Sequence, residues 1–151
     1  MHNSIFVSSY ERFLSKKGAD SQINKYLPKH SICVSCIATP GLVSLTSEPS
    51  QTNQQINSII CKDNISPFFL YLALNTPKMK QLIINLGSGG SATYNLNKNT
   101  FSNITINILD TMKMKEFDDI VKPLFDKIIQ NNTQIKKLNL LKQQYLKKFF
   151  G

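Results

Sequence analysis

From residue 113 to residue 150 the apolar side chains recur at alternating steps of four and three, and this repeat limits what the chain can become. Phe117, Val121, Leu124, Ile128, Ile135, Leu138, Tyr145 and Phe149 share one seam, with Asn131 and Lys142 as its polar members. Such steps keep side chains on one face of a helix, whereas a strand would scatter them over two. A helix over 124–149 would run about 26 residues, or ~39 Å at 1.5 Å per residue. That is too long for a helix that only caps a small domain. The segment reads as an arm projecting from a globular body, whose stripe must be buried against a second helix, in a larger complex or in a second copy.

The competing reading packs the stripe on the chain's own core, as most amphipathic helices do. Two features favour projection for the distal half. Between Lys127 and Gly151 there are six lysines and no carboxylate, whereas a self-contained surface helix mixes signs. Pro123 lies inside the pattern and lacks a backbone donor, so a kink over 119–123 is expected to separate a docked first part from a projecting second part.

The 151 residues, 41% of them hydrophobic, suffice for one modest core plus the arm, with boundaries at 1–109 and 110–151. The net charge of +9 points toward a polyanionic partner, although AT-rich coding sequence also enriches Lys, Asn and Ile. No run reaches the roughly 18 to 20 apolar residues of a membrane span, and residues 1–9 lack the basic and apolar regions of a secretory leader. Three cysteines form no even framework, so free thiols and a cytoplasmic setting are expected.

Along the chain, 31–38 and 42–46 are apolar runs split by Thr39-Pro40-Gly41, a strand, turn, strand signal, and 55–61 is a third strand candidate. Helical spacing over 67–85, with Pro67 suited to a first turn and Pro77 forcing a break, predicts two short helices. Residues 87–91 read as a flexible loop and 101–109 as a half-buried strand, with Asp110 or Thr111 capping the final helix. The fold class is therefore α+β: a small mixed β-sheet with short helices, followed by a long C-terminal coiled-coil helix.

The chemistry of an enzyme is missing. Cys33 and Cys36 fall in a predicted strand, where positions three apart face opposite sides, so buried thiols are expected rather than a metal site. His2 and His30 are the two histidines, too few for a nucleophilic constellation. The glycines at 87, 89 and 90 match neither a Walker loop nor a dinucleotide fingerprint. An adenine-methyltransferase signature of Asn or Asp followed by two prolines and an aromatic is absent, as is a nuclease-like Pro-Asp with a later Glu-x-Lys. No catalytic residue, metal or cofactor is expected.

Several segments, taken in order, resemble the specificity subunit of type I restriction-modification systems, one target recognition domain with its spacer helix. They are Phe13-Leu-Ser-Lys-Lys-Gly-Ala-Asp20, Tyr26-Leu-Pro-Lys29, Ile32-Cys-Val-Ser-Cys-Ile-Ala-Thr-Pro-Gly-Leu-Val43, Thr52-Asn-Gln-Gln-Ile-Asn-Ser-Ile-Ile60 and the Gly87-Ser88-Gly89 loop. The ending adds Phe117, Pro123-Leu-Phe125, Asn131-Asn132, Leu138 and residues 141–150. Two departures stand out: His30 occupies a place the family commonly gives to glycine, and Asn107-Ile-Leu-Asp110 replaces a proline-containing strand end. The resemblance also implies that a full recognition domain would begin several tens of residues earlier, so the chain looks like an N-terminally shortened half subunit.

The resemblance implies a non-catalytic role: reading one half of a split target in double-stranded DNA while holding modification (methyltransferase) and restriction subunits, with no membrane association. The arm would act as a ruler, paired antiparallel with a second copy or a second specificity half. DNA-facing candidates are Arg12, Lys16, Lys17, Ala38, Thr39, Gln54, Gln55, Gly87, Ser88, Gly89, Gly90, Ser91 and Thr93. For the glycine loop, a backbone clamp on phosphate and a plain exposed connection stand equally. Asn53, Gln54 and Gln55 could read adenine, but satisfying backbone groups at a strand start is favoured. Helix-pairing candidates are the eight apolar seam residues with Asn131. The alternative is an assembly fragment that no longer reads DNA and acts only through the coiled coil.

Overall fold

The computed structural model describes residues 4–7, 13–37, 39, 41–88 and 94–151. Its elements run α1 (Lys16–Asp20), a 3-10 turn (Ile23–Lys25), β1 (Ile32–Ser35), β2 (Val43–Leu45), β3 (Ile56–Ile59), α2 (Pro67–Leu74), α3 (Pro77–Ser88), α4 (Lys98–Ser102) and α5 (Thr111–Phe150). The sheet order is β2-β1-β3, antiparallel throughout, with Val34 opposite Val43 on one side and Asn57 on the other. An isolated parallel bridge from Phe6 to Leu45 adds the mixed element beside β2. The long C-terminal helix completes the α+β architecture expected from the sequence.

β1 is buried along its whole length because both its edges are paired and both its faces are covered. Ile32, Val34, Val43 and Leu45 form a core with Phe68, Tyr71 and Leu74 of α2, Ile83 of α3, and Leu96. Pro67 opens α2, and the hydroxyl of the N-cap Ser66 accepts from the N–H of Phe69 at 3.3 Å. That hydroxyl also donates to the Asp118 carboxylate of α5, which joins the start of one helix to the side of the other. Pro77 begins α3, as the sequence requires, after a break at Asn75 and Thr76.

α5 is one 40-residue helix, N-capped by Asp110, whose carboxylate accepts the Lys113 N–H at 2.9 Å. The helix continues through Pro123, where the sequence had placed a division. Pro123 and Asp119, whose carbonyl loses its donor, are both solvent-exposed, so water can serve that carbonyl. Docking extends well past the proline. Met114 and Phe125 are buried, and Phe117, Val121, Ile128 and Ile129 pack partly against the core. The Phe125 ring stacks on Phe68 at 4.6 Å between centroids and meets Phe6 and Tyr71 edge-on at 6.1 and 5.8 Å. From residue 133 onward every side chain is exposed, so the change from docked to projecting comes about ten residues later than the sequence placed it.

Two further expectations are corrected. Residues 101–109 contain no strand: Phe101 and Ser102 belong to α4, and 104–110 run without ladder partners. The alternation there is real, with Ile104 and Ile106 half-buried against the core and Thr105 and Asn107 exposed, but no strand among the described residues pairs with it. The loop expected to open at Gly87 opens later, because Gly87 and Ser88 close α3.

His30 has φ 66°, the left-handed region that glycine enters freely and other residues enter at a cost of roughly 1 kcal/mol or more. The imidazole repays the strain by packing 5.0 Å from Phe68 and 6.2 Å from Phe6. Its Nε2 is buried and has no hydrogen-bond partner among the described residues. Burial, reinforced by Lys29, lowers the imidazole pKa, while Asp126 draws it the other way.

Two outcomes follow from this packing. Phe125→Ala should lower unfolding free energy in urea by about 3–5 kcal/mol, whereas Leu124→Ala, one residue away on the open side, should change it by less than about 0.5 kcal/mol. The unfolded chain protonates His30 near its ordinary pKa of about 6.5 while the folded chain still resists, so stability should fall as pH drops from about 7 through 6. In His30→Asn, which tolerates the left-handed backbone, that part of the pH dependence should disappear.

Candidate nucleic-acid interface

Lys16 and Lys17 open α1, whose Ser15 N-cap accepts from the Gly18 N–H at 3.1 Å. Both lysines are exposed. Gln51 fixes their position: its side-chain amide donates to the carbonyls of Ala19 at 3.0 Å and Gln22 at 3.1 Å. Ser50, beside it, bridges to Leu27, so α1 hangs from the segment that leads into β3. No acidic residue lies in the first turn of α1, and neither lysine is ion-paired among the described residues.

A chain of hydrogen bonds gathers the other candidates at one end of the sheet. The Cys36 N–H donates to Gln55 at 3.0 Å, Leu96 donates to Cys36 at 3.0 Å, and Asn95 donates to Gly87 at 2.9 Å. Asn57 adds its side-chain amide to the Leu96 carbonyl at 2.9 Å. Thr39, Gln54, Gln55, Gly87 and Ser88 are thereby brought to one region. Lys16 and Lys17 attach farther along the 50–55 segment. Arg12, Ala38, Gly89, Gly90, Ser91 and Thr93 lie outside the described residues.

Within this region the side chains divide by role. The Asn53 carboxamide oxygen accepts from the Gln55 N–H at 3.0 Å, so Asn53 shapes the turn. The side chains of Gln54 and Gln55 are exposed, and their amides make no hydrogen bond among the described residues. Thr39 is exposed, its N–H held by the Ile37 carbonyl at 2.8 Å. Gly87 is buried, and a Cβ at this position would overlap the ring of Tyr94. Its lack of a side chain therefore serves packing of α3 on the 94–96 segment. Ser88 is exposed and turns its hydroxyl back to the Ile84 carbonyl at 2.7 Å.

Burial disfavours the thiolate form of all three cysteines. Burial pushes Cys33 up to about 11, partly offset by Ser58, and burial also raises Cys36 and Cys61. All three are free cysteines, and the Cys36 thiol donates to the Gln54 carbonyl at 3.5 Å. Among the described residues no group of three His, Cys, Asp or Glu side chains could hold a metal ion. No helix described is long and apolar enough to cross a membrane.

The pairing candidates on α5 separate into two groups. Phe117, Val121 and Ile128 turn toward the chain's own core, with Phe117 edge-on to Phe69 at 5.5 Å. Leu124, Asn131, Ile135, Leu138, Tyr145 and Phe149 are exposed. Tyr145 and Phe149 stack on each other at 6.2 Å, and the Lys148 ammonium lies 5.4 Å from the Phe149 ring centre. The heptad count missed Met114, Phe125 and Ile129, which lie about a quarter turn from the seam and carry the docking. It also missed the Ser66 to Asp118 link, whose only sequence signal was a serine before a helix-opening proline.

Residues 2–140 match the family model described as the type I restriction modification DNA specificity domain. The type I restriction enzyme HindI specificity subunit of Haemophilus influenzae is 47% identical over 146 residues, covering 97% of this chain and 32% of that protein. The MjaIX specificity subunit of Methanocaldococcus jannaschii is 27% identical over 127 residues, covering 84% of this chain and 29% of that protein. The chain thus spans about a third of the length of the curated relatives it matches.

Gly87→Ala should lower stability by about 1–3 kcal/mol by forcing Tyr94 aside. Adding Tyr94→Ala should cost less in the Gly87→Ala background than in the parent, which a double-mutant cycle in urea would measure. Additive losses would mean that Gly87 does not serve this contact.

Proposed function

The chain belongs to the family of type I restriction modification DNA specificity domains, and on that premise we propose that its body reads one half of a bipartite target in double-stranded DNA while its arm spaces and assembles the complex. The body is residues 1–109 and the spacer 110–151, with the spacer's first half glued to the body by Phe125. The protein itself breaks no bond. Methyl transfer and cleavage belong to modification and restriction subunits that it positions, in the cytoplasm.

The observation that carries this reading is the pair of faces on α5. One face, through Met114, Phe125 and Ile129, fixes the helix to the recognition body. The other, through Ile135, Leu138, Tyr145 and Phe149, stays open over the distal half. A rigid rod held at one end and adhesive at the other sets a distance, which is what two half-sites at fixed spacing need. Its partner is a second helix, from a second copy or from a second specificity half, paired antiparallel as in the resemblance above. Lys16 and Lys17 supply attraction to phosphate, and Gln54, Gln55 and Thr39 offer hydrogen bonds to base edges.

Charge changes at the two ends should separate these roles when DNA affinity and mass are measured with the modification subunit present. Lys16→Gln and Lys17→Gln should weaken binding across all sequences, each lost phosphate contact lowering the salt slope by about 1. Leu138→Asp should reduce the assembled mass by placing a charge in the seam. If Leu138→Asp abolishes DNA binding with assembly intact, or the lysine variants bind as the parent does, the assignment of roles is wrong.

A further inference from the structure

The distal seam of α5 is symmetric about its own midpoint. Counted from the point between Lys136 and Lys137, Ile135 mirrors Leu138, Ile128 mirrors Tyr145 and Leu124 mirrors Phe149. The two polar members mirror each other as well, Asn131 against Lys142. Ile128 is half-buried by the body, and the other seven are exposed along one continuous helix. Two copies related by a two-fold axis exchange mirrored residues, so this symmetry makes the seam complementary to itself.

Sliding one helix by a heptad in either direction keeps the seam in contact but breaks the match. One slide sets Asn131 against Phe149 and Lys142 against Leu138, and the other sets Asn131 against Ile135 and Lys142 against Leu124. Either slide leaves an amide and an ammonium facing apolar side chains, which is how a polar seam residue selects a register. In the symmetric register the amide and the ammonium face each other.

We propose that the distal seam is covered by a second copy of this chain, antiparallel, in the register where the ammonium of Lys142 donates to the Asn131 carboxamide oxygen of the other copy. This rests on the reading of the arm as a spacer and not on the DNA-reading role of the body. In this register Phe125, which holds the helix to its body, lies level with Lys148 of the other copy. The two joints then stand about 23 residues apart along the pair, or ~35 Å at 1.5 Å per residue. One turn of B-DNA is about 34–36 Å, so the two bodies meet one face of a duplex at half-sites centred about one turn apart. A slide by one heptad changes that distance by ~10 Å, about three base pairs at roughly 3.4 Å each.

Sedimentation equilibrium of the full chain checks both the partner and the register. The parent should dimerise at tens of micromolar. Each arm carries six lysines and no carboxylate from residue 127 onward, so the dimer should strengthen as salt rises, the reverse of a phosphate contact. Asn131→Glu should tighten the dimer at least several-fold more than Thr133→Glu, which adds the same charge at an exposed position off the seam. Adding Lys142→Gln should erase that extra gain, because residues 131 and 142 lie ~17 Å apart on one helix and meet only across the pair. A parent that stays monomeric at high micromolar concentration would overturn the second copy as partner. Asn131→Glu no tighter than Thr133→Glu, or a gain that survives Lys142→Gln, would overturn the register. Both are read without DNA, so a body that binds no DNA would strike the reading above and not this one.

Discussion

The stacking of Phe125 on Phe68, braced edge-on by Phe6 and Tyr71, joins the long helix to the sheet. Everything the molecule can do at a distance depends on that joint. A helix of 40 residues extends about 60 Å, far beyond a body of this size, and a loose attachment would let its far end sweep through a wide arc. Aromatic contact area concentrates much of the holding energy at one position, and the Ser66 to Asp118 hydrogen bond fixes rotation about it. His30 belongs to the same cluster, which ties the backbone strain of a left-handed residue to the packing of the helix.

Beyond this joint the helix changes character without changing conformation. Its apolar stripe continues, but from residue 133 onward no side chain is covered by the described residues, and its charges are all of one sign from Lys127 onward. Exposed lysines are interspersed with the exposed Ile135, Leu138, Tyr145 and Phe149. The end of the sheet near Cys36 and Gln55 is built differently. There, backbone hydrogen bonds among Cys36, Gln55, Leu96, Asn95 and Gly87 hold a platform on which exposed polar side chains are presented.

Much of this was legible in the sequence, for reasons that differ by element. The two antiparallel strands around Thr39-Pro40-Gly41 and the helix pair split by Pro77 follow from local rules that tertiary packing did not override. The heptad seam identified the long helix and three of its docking residues, Phe117, Val121 and Ile128, but left out Met114, Phe125 and Ile129, because α5 is apolar on more than one side and the count alone could not rank Phe125 above Leu124. The alternation over 101–109 reports which side chains are buried, not whether a neighbouring backbone is there to pair, and so it was read as a strand. Gly87 was read as a loop residue from its composition with Ser88 and Gly89. Its reason for being glycine, the ring of Tyr94, is a contact between segments that no local rule contains. The role of Gln51 in holding α1 was not legible, because its bonds to the Ala19 and Gln22 carbonyls join segments about 30 residues apart.

Amide hydrogen exchange along α5 tests the central claim most directly, first on the isolated chain at low concentration and then with the modification subunit added. The account predicts strong protection over residues 118–129, weak protection over 135–150 in the isolated chain, and a rise confined to 135–150 on assembly. Uniform protection along the whole helix of the isolated monomer, or a distal half that stays unprotected in the complex, would contradict it.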